Sequence, residues 1–127
     1  MTPYPPLPTT HKRALGQRME LIACHYLEYH GLHLQARNYH ARRGELDLVM
    51  TDQDTCVFVE VRYRRSLQFG SPLDSITPRK QQRLILAARH YLMQHAVDIP
   101  CRFDIVSLSG PMQSPDIAWI RHAFDAS

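Results

Sequence analysis

Residues 44–65 read GELDLVMTDQDTCVFVEVRYRR, and this stretch decides the fold. Leu46, Leu48 and Met50 alternate with Glu45, Asp47 and Val49, and Val57, Val59 and Val61 alternate with Phe58, Glu60 and Arg62. A period of two is that of a strand, whose successive side chains point to opposite faces. Asp52, Gln53, Asp54 and Thr55 form a short polar link rich in turn-forming residues, which predicts an antiparallel hairpin.

Placing both apolar rows on one face fixes the register, because a slip of one residue turns every side chain over. With a four-residue loop, Asp47 falls opposite Glu60 and Glu45 opposite Arg62. Directly paired Cβ atoms lie about 4.5–5.5 Å apart, and like charges at that distance repel. A positive group is therefore expected between Asp47 and Glu60.

The chain has 127 residues, 44% of them hydrophobic, which suits one compact core. No apolar run approaches the roughly 18 residues a membrane span needs. The opening MTPYPPLPTT lacks the basic-then-apolar layout of a secretory signal, so residues 1–10 read as a disordered proline-rich leader and 11–127 as a single domain. Cys24, Cys56 and Cys101 are widely spaced with no CxxC pair, and each lies in an apolar-patterned segment. They are expected to be small core residues of a protein in the reducing cytoplasm. The eight histidines are scattered; His25/His30 and His90/His95 are five apart, which misses the spacing of two ligands on one helix face, so they are expected to be solvated.

The formal net charge is +3, but the cations cluster: Lys12, Arg13 and Arg18; Arg37, Arg42 and Arg43; Arg62, Arg64 and Arg65; Arg79, Lys80, Arg83 and Arg89. Alone, such clusters are a solvated basic surface. Around a carboxylate pair they suit a polyanionic substrate, with Arg42, Arg43, Arg64, Arg65, Arg79 and Arg83 as candidate nucleic-acid contacts.

From about His11 to His30, Leu15, Met19, Ile22, Ala23 and Tyr26 form one stripe at helical spacing, and Gly31 stops the helix. A strand follows from Leu32, then the hairpin. SLQFGSPLDSI reads as a loop, ended by Thr77 and Pro78 as N-cap and first-turn residues of a second helix running to about His95. Pro100 precedes the strand CRFDIVSL, and GPMQSP separates it from a short edge segment, DIAWI, with a short terminal turn. The order is α-β-β-β-α-β-β, an α/β domain. It shows no repeat, no glycine-rich phosphate loop and no GxSxG elbow.

Two helical residues bear on function. At 100° per residue, Glu20 lies about 100° from the middle of its helix's apolar stripe, where it can reach into a site. Lys80 lies in line with Leu84, Ala87 and Tyr91 on the apolar face of the second helix. Lysine is disfavoured there, so its ammonium is expected to snorkel to solvent unless it serves the carboxylates.

An aspartate on one strand followed by Glu-x-basic on the next is an arrangement used for metal-dependent phosphodiester hydrolysis, because Mg²⁺ takes hard oxygen ligands and relieves carboxylate repulsion. The wider wording is more specific. GELDLV followed by VFVEVRYR, the upstream G-x-x-x-E-x-x-A-x-x-YL, RNY, Lys80, CRFDIV and the terminal HAF together resemble the YraN family of small uncharacterised bacterial proteins. The resemblance runs from about Leu15 to Phe124. It implies a restriction-endonuclease-like core, a mixed central sheet flanked by helices, near the archaeal Holliday-junction resolvases.

By that resemblance, Asp47 matches the metal-binding aspartate, Glu60 the acid of the Glu-x-Lys element, and Glu20 a glutamate supplied by the first helix. Asp47 and Glu60 are thus the implied ligands of Mg²⁺ or Mn²⁺. Arg62 occupies the lysine position. Arginine clamps phosphate but, with a pKa above about 12, cannot act as a base, and Lys80 is the candidate substitute. The implied activity is a metal-dependent nuclease or nuclease-like DNA-processing protein. Its partner is nucleic acid, DNA foremost, and a homodimer follows resolvase-like relatives. The alternatives are an inactive nucleic-acid-binding module of the same fold, for which Arg62 argues, and a protein-interaction role with ordinary surface carboxylates.

Overall fold

The computed structural model describes residues 11–66 and 76–126. The proline-rich leader 1–10 and nearly all of the loop expected at 66–76 lie outside the described residues. The elements are α1 (His11–Tyr29), β1 (His33–Ala41), β2 (Gly44–Asp52), β3 (Thr55–Arg64), α2 (Pro78–Gln94), β4 (Cys101–Ser109) and β5 (Asp116–Phe124). The five strands form one sheet in chain order. It is mixed: β3 and β4, separated in sequence by α2, are parallel, and every other neighbouring pair is antiparallel. Among the described residues, no helix is long and apolar enough to cross a membrane.

The helices cover opposite faces of the sheet. On one, Met19, Ile22, Ala23 and Leu27 of α1 pack on Leu48, Met50, Val57, Val59, Val106 and Leu108. On the other, Leu84, Ile85, Ala87, Ala88 and Tyr91 of α2 pack on Val49, Phe58, Phe103 and Ile105. The strands beneath are apolar on both faces, as a covered sheet requires.

Both helix ends follow from local sequence. Gly31, at φ +96°, ends α1: its N–H donates to the Glu28 carbonyl while Leu32 N–H donates to Leu27, two bonds that satisfy last-turn carbonyls. Leu27 and Leu32 are both buried, closing the motif with an apolar contact. At α2, the Thr77 side chain accepts from Lys80 N–H at 3.2 Å and Pro78 takes the first turn.

The hairpin register is the expected one, with Asp52 opposite Thr55, Met50 opposite Val57 and Leu48 opposite Val59. Four expectations need correction. The β2–β3 pairing ends at Leu48, so neither Asp47 and Glu60 nor Glu45 and Arg62 are paired in the ladder; Glu45 pairs with His40 of β1, and their side chains meet at 3.1 Å. Leu46 leaves the row of Leu48 and Met50 and packs on the α2 side, because β2 has parted from β3 by that point. DIAWI is the start of a nine-residue strand that continues through His122 to Phe124. Finally, Cys24 and Cys56 are buried, but Cys101 is exposed, since it is the first residue of β4.

The long β5 depends on an irregularity. The β4–β5 register shifts between Phe103 and Ile105, and His122 sits at φ +50°. The His122 N–H, removed from the regular ladder, donates to the buried Asp104 carboxylate at 3.0 Å. Asp104 also receives Trp119 Nε1 at 2.9 Å and Arg102 Nε at 3.0 Å, and Arg102 reaches Asp52 of β2 at 3.0 Å. This buried charge is hydrogen-bonded and paired, the condition under which burial is tolerated.

Candidate functional site

Where β2 leaves β3, the Val61 N–H has lost its ladder acceptor. The Asp47 carboxylate replaces it, accepting from Val61 at 2.8 Å. That bond turns Asp47 toward β3 and fixes it next to Glu60. By alternation with Phe58, Glu60 lies on the α2 side of β3, and it is only 5 % exposed.

Close packing of β2 on α2 completes that side. A Cβ on Gly44 would lie 2.3 Å from the Arg83 carbonyl oxygen, so only glycine permits this approach. The first turn of α2 then delivers Lys80, whose Nζ is 3.3 Å from Glu60 Oε2. Arg62 Nη1 is 3.6 Å from the same oxygen. The positive charge expected beside the carboxylates is therefore supplied twice. Lys80 does not simply snorkel to solvent, because a buried carboxylate offers its ammonium a closer partner.

The third carboxylate comes from the other face. Glu20 of α1 lies close enough to Asp47 for the two charges to interact. Burial, then the charge of Asp47, pushes the Glu20 carboxyl up to about 7, opposed by the Asn38 side chain and the Arg37 charge. Burial and then Asp47 push Glu60 up to about 8 despite the opposing charge of Lys80. Glu20 Oε1 is buried and has no hydrogen-bond partner among the described residues. Among the described residues, no three His, Cys, Asp or Glu side chains already form a metal cage.

Glu20, Asp47, Glu60, Arg62 and Lys80 thus meet at one place, drawn from four elements. The outer cations divide. Arg42 and Arg43 stand exposed in the turn before Gly44, and Arg79 and Arg83 are exposed on α2, with Arg83 and Lys80 lining a cleft of about 60 Å³ together with Glu45 and Leu84. Arg64 is the last residue of β3 and Arg65 follows it, both beyond Glu60. Asn38 and Arg37 complete the surroundings of Glu20, a role the spacing of RNY did not reveal. The available signal was Asn38 itself, a residue type that tolerates the left-handed backbone it adopts at φ +51°.

The sequence model of the uncharacterised protein family UPF0102 matches residues 19–108. The chain is 52% identical over 119 residues to a UPF0102 protein of Nitrosococcus oceani, covering 92% of this chain and 95% of that one. It is 51% identical over 112 residues to one from Nitrosomonas europaea, covering 88% and 94%. With one from Stutzerimonas stutzeri it shares 47% over 119 residues, covering 92% and 99%. The chain belongs to the UPF0102 family, the YraN family of the sequence resemblance.

Proposed function

We propose that this UPF0102 family member is a metal-dependent nuclease, or nuclease-like processing protein, acting on phosphodiester bonds of nucleic acid, DNA foremost. The observation that carries this reading is the meeting of Glu20, Asp47 and Glu60 from three separate elements, with Lys80 and Arg62 both on Glu60. Two carboxyls raised above their ordinary range and a buried Glu20 oxygen without a hydrogen-bond partner among the described residues are what a hard divalent cation relieves. Mg²⁺ or Mn²⁺ therefore fits, with Asp47 and Glu60 as ligands; Mg²⁺ commonly uses one or two carboxylates, with waters and phosphate completing its shell. When bound, such an ion polarises a phosphoryl oxygen and lowers the pKa of water.

The protein's own groups have distinct tasks. Asp47 is held in direction by Val61 N–H. Glu20, with a pKa of about 7, can accept or release a proton near neutrality. Arg62 keeps a fixed charge beside Glu60 and serves as a phosphate clamp, while Lys80, a compact charge on a flexible stem, neutralises developing negative charge. Arg42, Arg43, Arg79 and Arg83 flank the entrance of β2 onto α2 and, with Arg64 and Arg65, contact the phosphate backbone.

The test is a cleavage assay on linear, branched and single-stranded DNA and on RNA, with Mg²⁺, Mn²⁺ or EDTA, beside Asp47→Asn prepared identically. Metal-dependent cleavage that disappears in the variant is expected. Salt-sensitive binding with no cleavage of any substrate overturns the nuclease reading in favour of the binding module, for which Arg62 in the lysine position is the specific argument. Absence of both activities overturns both.

A further inference from the structure

The parallel strands β3 and β4 end side by side, with Arg64 aligned with Ser109 and the Gly110 N–H donating to the Arg64 carbonyl at 3.2 Å. The link to β5 begins there. Between that link and the end of β3 lies a cavity of about 450 Å³, lined by Tyr63, Arg65, Gly110, Pro111, Met112 and Gln113. Its size is that of a small-molecule site, and in open α/β sheets ligands bind outside the carboxyl ends of the parallel strands. Tyr63 is half-buried, and its hydroxyl donates to the Gly110 carbonyl at 2.5 Å, which fixes the ring against the link. Met112 is half-buried against the same α1-side cluster, so ring and thioether make the apolar part. Arg65 and Gln113 are exposed, and Arg65 has no ion pair among the described residues. Asp116 stands close to Gly110, which leaves the Arg65 end of the cavity for an anion.

The cavity continues the carboxylate site along one strand. Beyond Val59, among the described residues, no strand pairs with β3 on its β2 side. Val61, whose N–H holds Asp47, and Tyr63 are successive side chains of the face toward α1, the helix from which Glu20 meets Asp47. Tyr63 follows Val61 by two residues, about 7 Å, and Arg65 follows Arg62 by three, about 10 Å. A nucleic-acid strand carries one phosphate per roughly 3.4 Å of helix axis, so these offsets span at most about three nucleotides.

We propose that this cavity is a subsite for one unpaired nucleotide flanking the phosphate at Asp47. Arg65 holds its phosphate, Tyr63 and Met112 pack against its base, and the Gln113 amide, both donor and acceptor, meets the base edge. The proposal rests on the nucleic-acid reading of the carboxylates and deepens it by assigning the substrate's local structure. A base can enter a cavity only after leaving the helical stack, and the cost is least where it has no partner. The substrate is therefore a strand with an unpaired nucleotide beside the bond that is cut.

Met112 is one of five methionines, so its methyl group can report on the cavity directly. The full chain in EDTA, with its methionine methyls labelled with carbon-13 and the Met112 signal identified through Met112→Leu, is titrated with dAMP, dTMP, ribose 5-phosphate and inorganic phosphate. Both nucleotides should shift the Met112 signal saturably, because a base packed on the methyl adds its ring current. Ribose 5-phosphate and phosphate should leave it in place. Arg65→Ala, a surface change that leaves thermal unfolding unaltered, should weaken nucleotide binding about tenfold, the size of a lost charge-assisted contact, and Arg65→Lys should recover part of it. The same Arg65→Ala change should weaken a duplex carrying one unpaired nucleotide more than a fully paired duplex. No Met112 shift with either nucleotide, an equal shift with ribose 5-phosphate, or an equal loss on both duplexes each overturns the subsite. The two readings fail separately: cleavage that depends on Asp47 without a Met112 response overturns the subsite alone, and a Met112 response in a protein that cleaves nothing overturns the nuclease alone.

Discussion

Asp47 and Val61 are joined by a 2.8 Å hydrogen bond from a backbone N–H to a carboxylate, at the point where the β2–β3 pairing stops. The same side chain thus terminates the ladder and enters the cluster with Glu20 and Glu60. Substitution should separate the two tasks. Asp47→Ala leaves the Val61 N–H without its acceptor, a loss of about 1–3 kcal/mol if the group stays dry, offset by relief of repulsion. Asp47→Asn keeps an acceptor and removes the charge. Asn should therefore be the more stable variant by about 1 kcal/mol in denaturant unfolding in EDTA, while calorimetry shows divalent binding lost in both. Undiminished Mg²⁺ or Mn²⁺ binding in both variants would rule the metal site out.

The raised carboxyls imply a pH dependence of stability. Glu20 at about 7 and Glu60 at about 8 retain protons in the folded chain that carboxyls at the ordinary value of 4.5 have lost in the unfolded chain. Where the folded state holds more protons, stability falls as pH rises. The contribution of these two carboxyls to the stability of the metal-free protein should thus be full below about pH 4.5 and be lost progressively up to about pH 8, with Glu60→Gln flattening the curve. Thermal unfolding in EDTA between these limits checks it; a Tm that is constant or rises refutes the raised carboxyls. Divalent cation should shrink the dependence, since it takes the place of the protons.

Arg62 and Lys80 share Glu60 Oε2 and are separable by charge-preserving substitution. Arg62→Lys keeps the local charge and recreates Glu-x-Lys, so cleavage should survive or rise. Arg62→Ala should slow it about a hundredfold, the usual size of a lost transition-state contact. Lys80→Ala should produce a comparable loss. An unchanged rate in Lys80→Ala would reduce the lysine to charge balance for Glu60.

Gly44 tests the packing that brings β2 onto α2. An alanine there meets the Arg83 backbone, whose carbonyl oxygen and carbon lie 2.3 and 3.0 Å from the added Cβ, and no side-chain rotation relieves that. Gly44→Ala should cost about 1–3 kcal/mol in stability. It should also weaken divalent binding without touching a carboxylate, because the displaced elements are those that carry Asp47 and Lys80. Full stability of the variant would contradict the close approach.

Much of this arrangement is local and was therefore legible in the chain. The period of two in residues 46–50 and 57–61, the four-residue link, Gly31 and the Thr77–Pro78 pair determine the hairpin, its register and both helix ends, because each depends on neighbours a few residues away. What happens at the end of the hairpin is not local. Whether β2 continues beside β3 past Leu48 depends on β1 and α2 drawing its first residues away, so the Val61 bond, the displacement of Leu46 and the pairing of Glu45 with His40 appear only in the tertiary structure. The same holds for Lys80, whose place on an apolar helix face predicts a solvated ammonium until a buried glutamate from another element stands 3.3 Å away. Asp104 is a further case. Its burial among apolar neighbours is intelligible only once Arg102, Trp119 and the displaced His122 N–H surround it, since bonds across strands carry no period that a sequence can display.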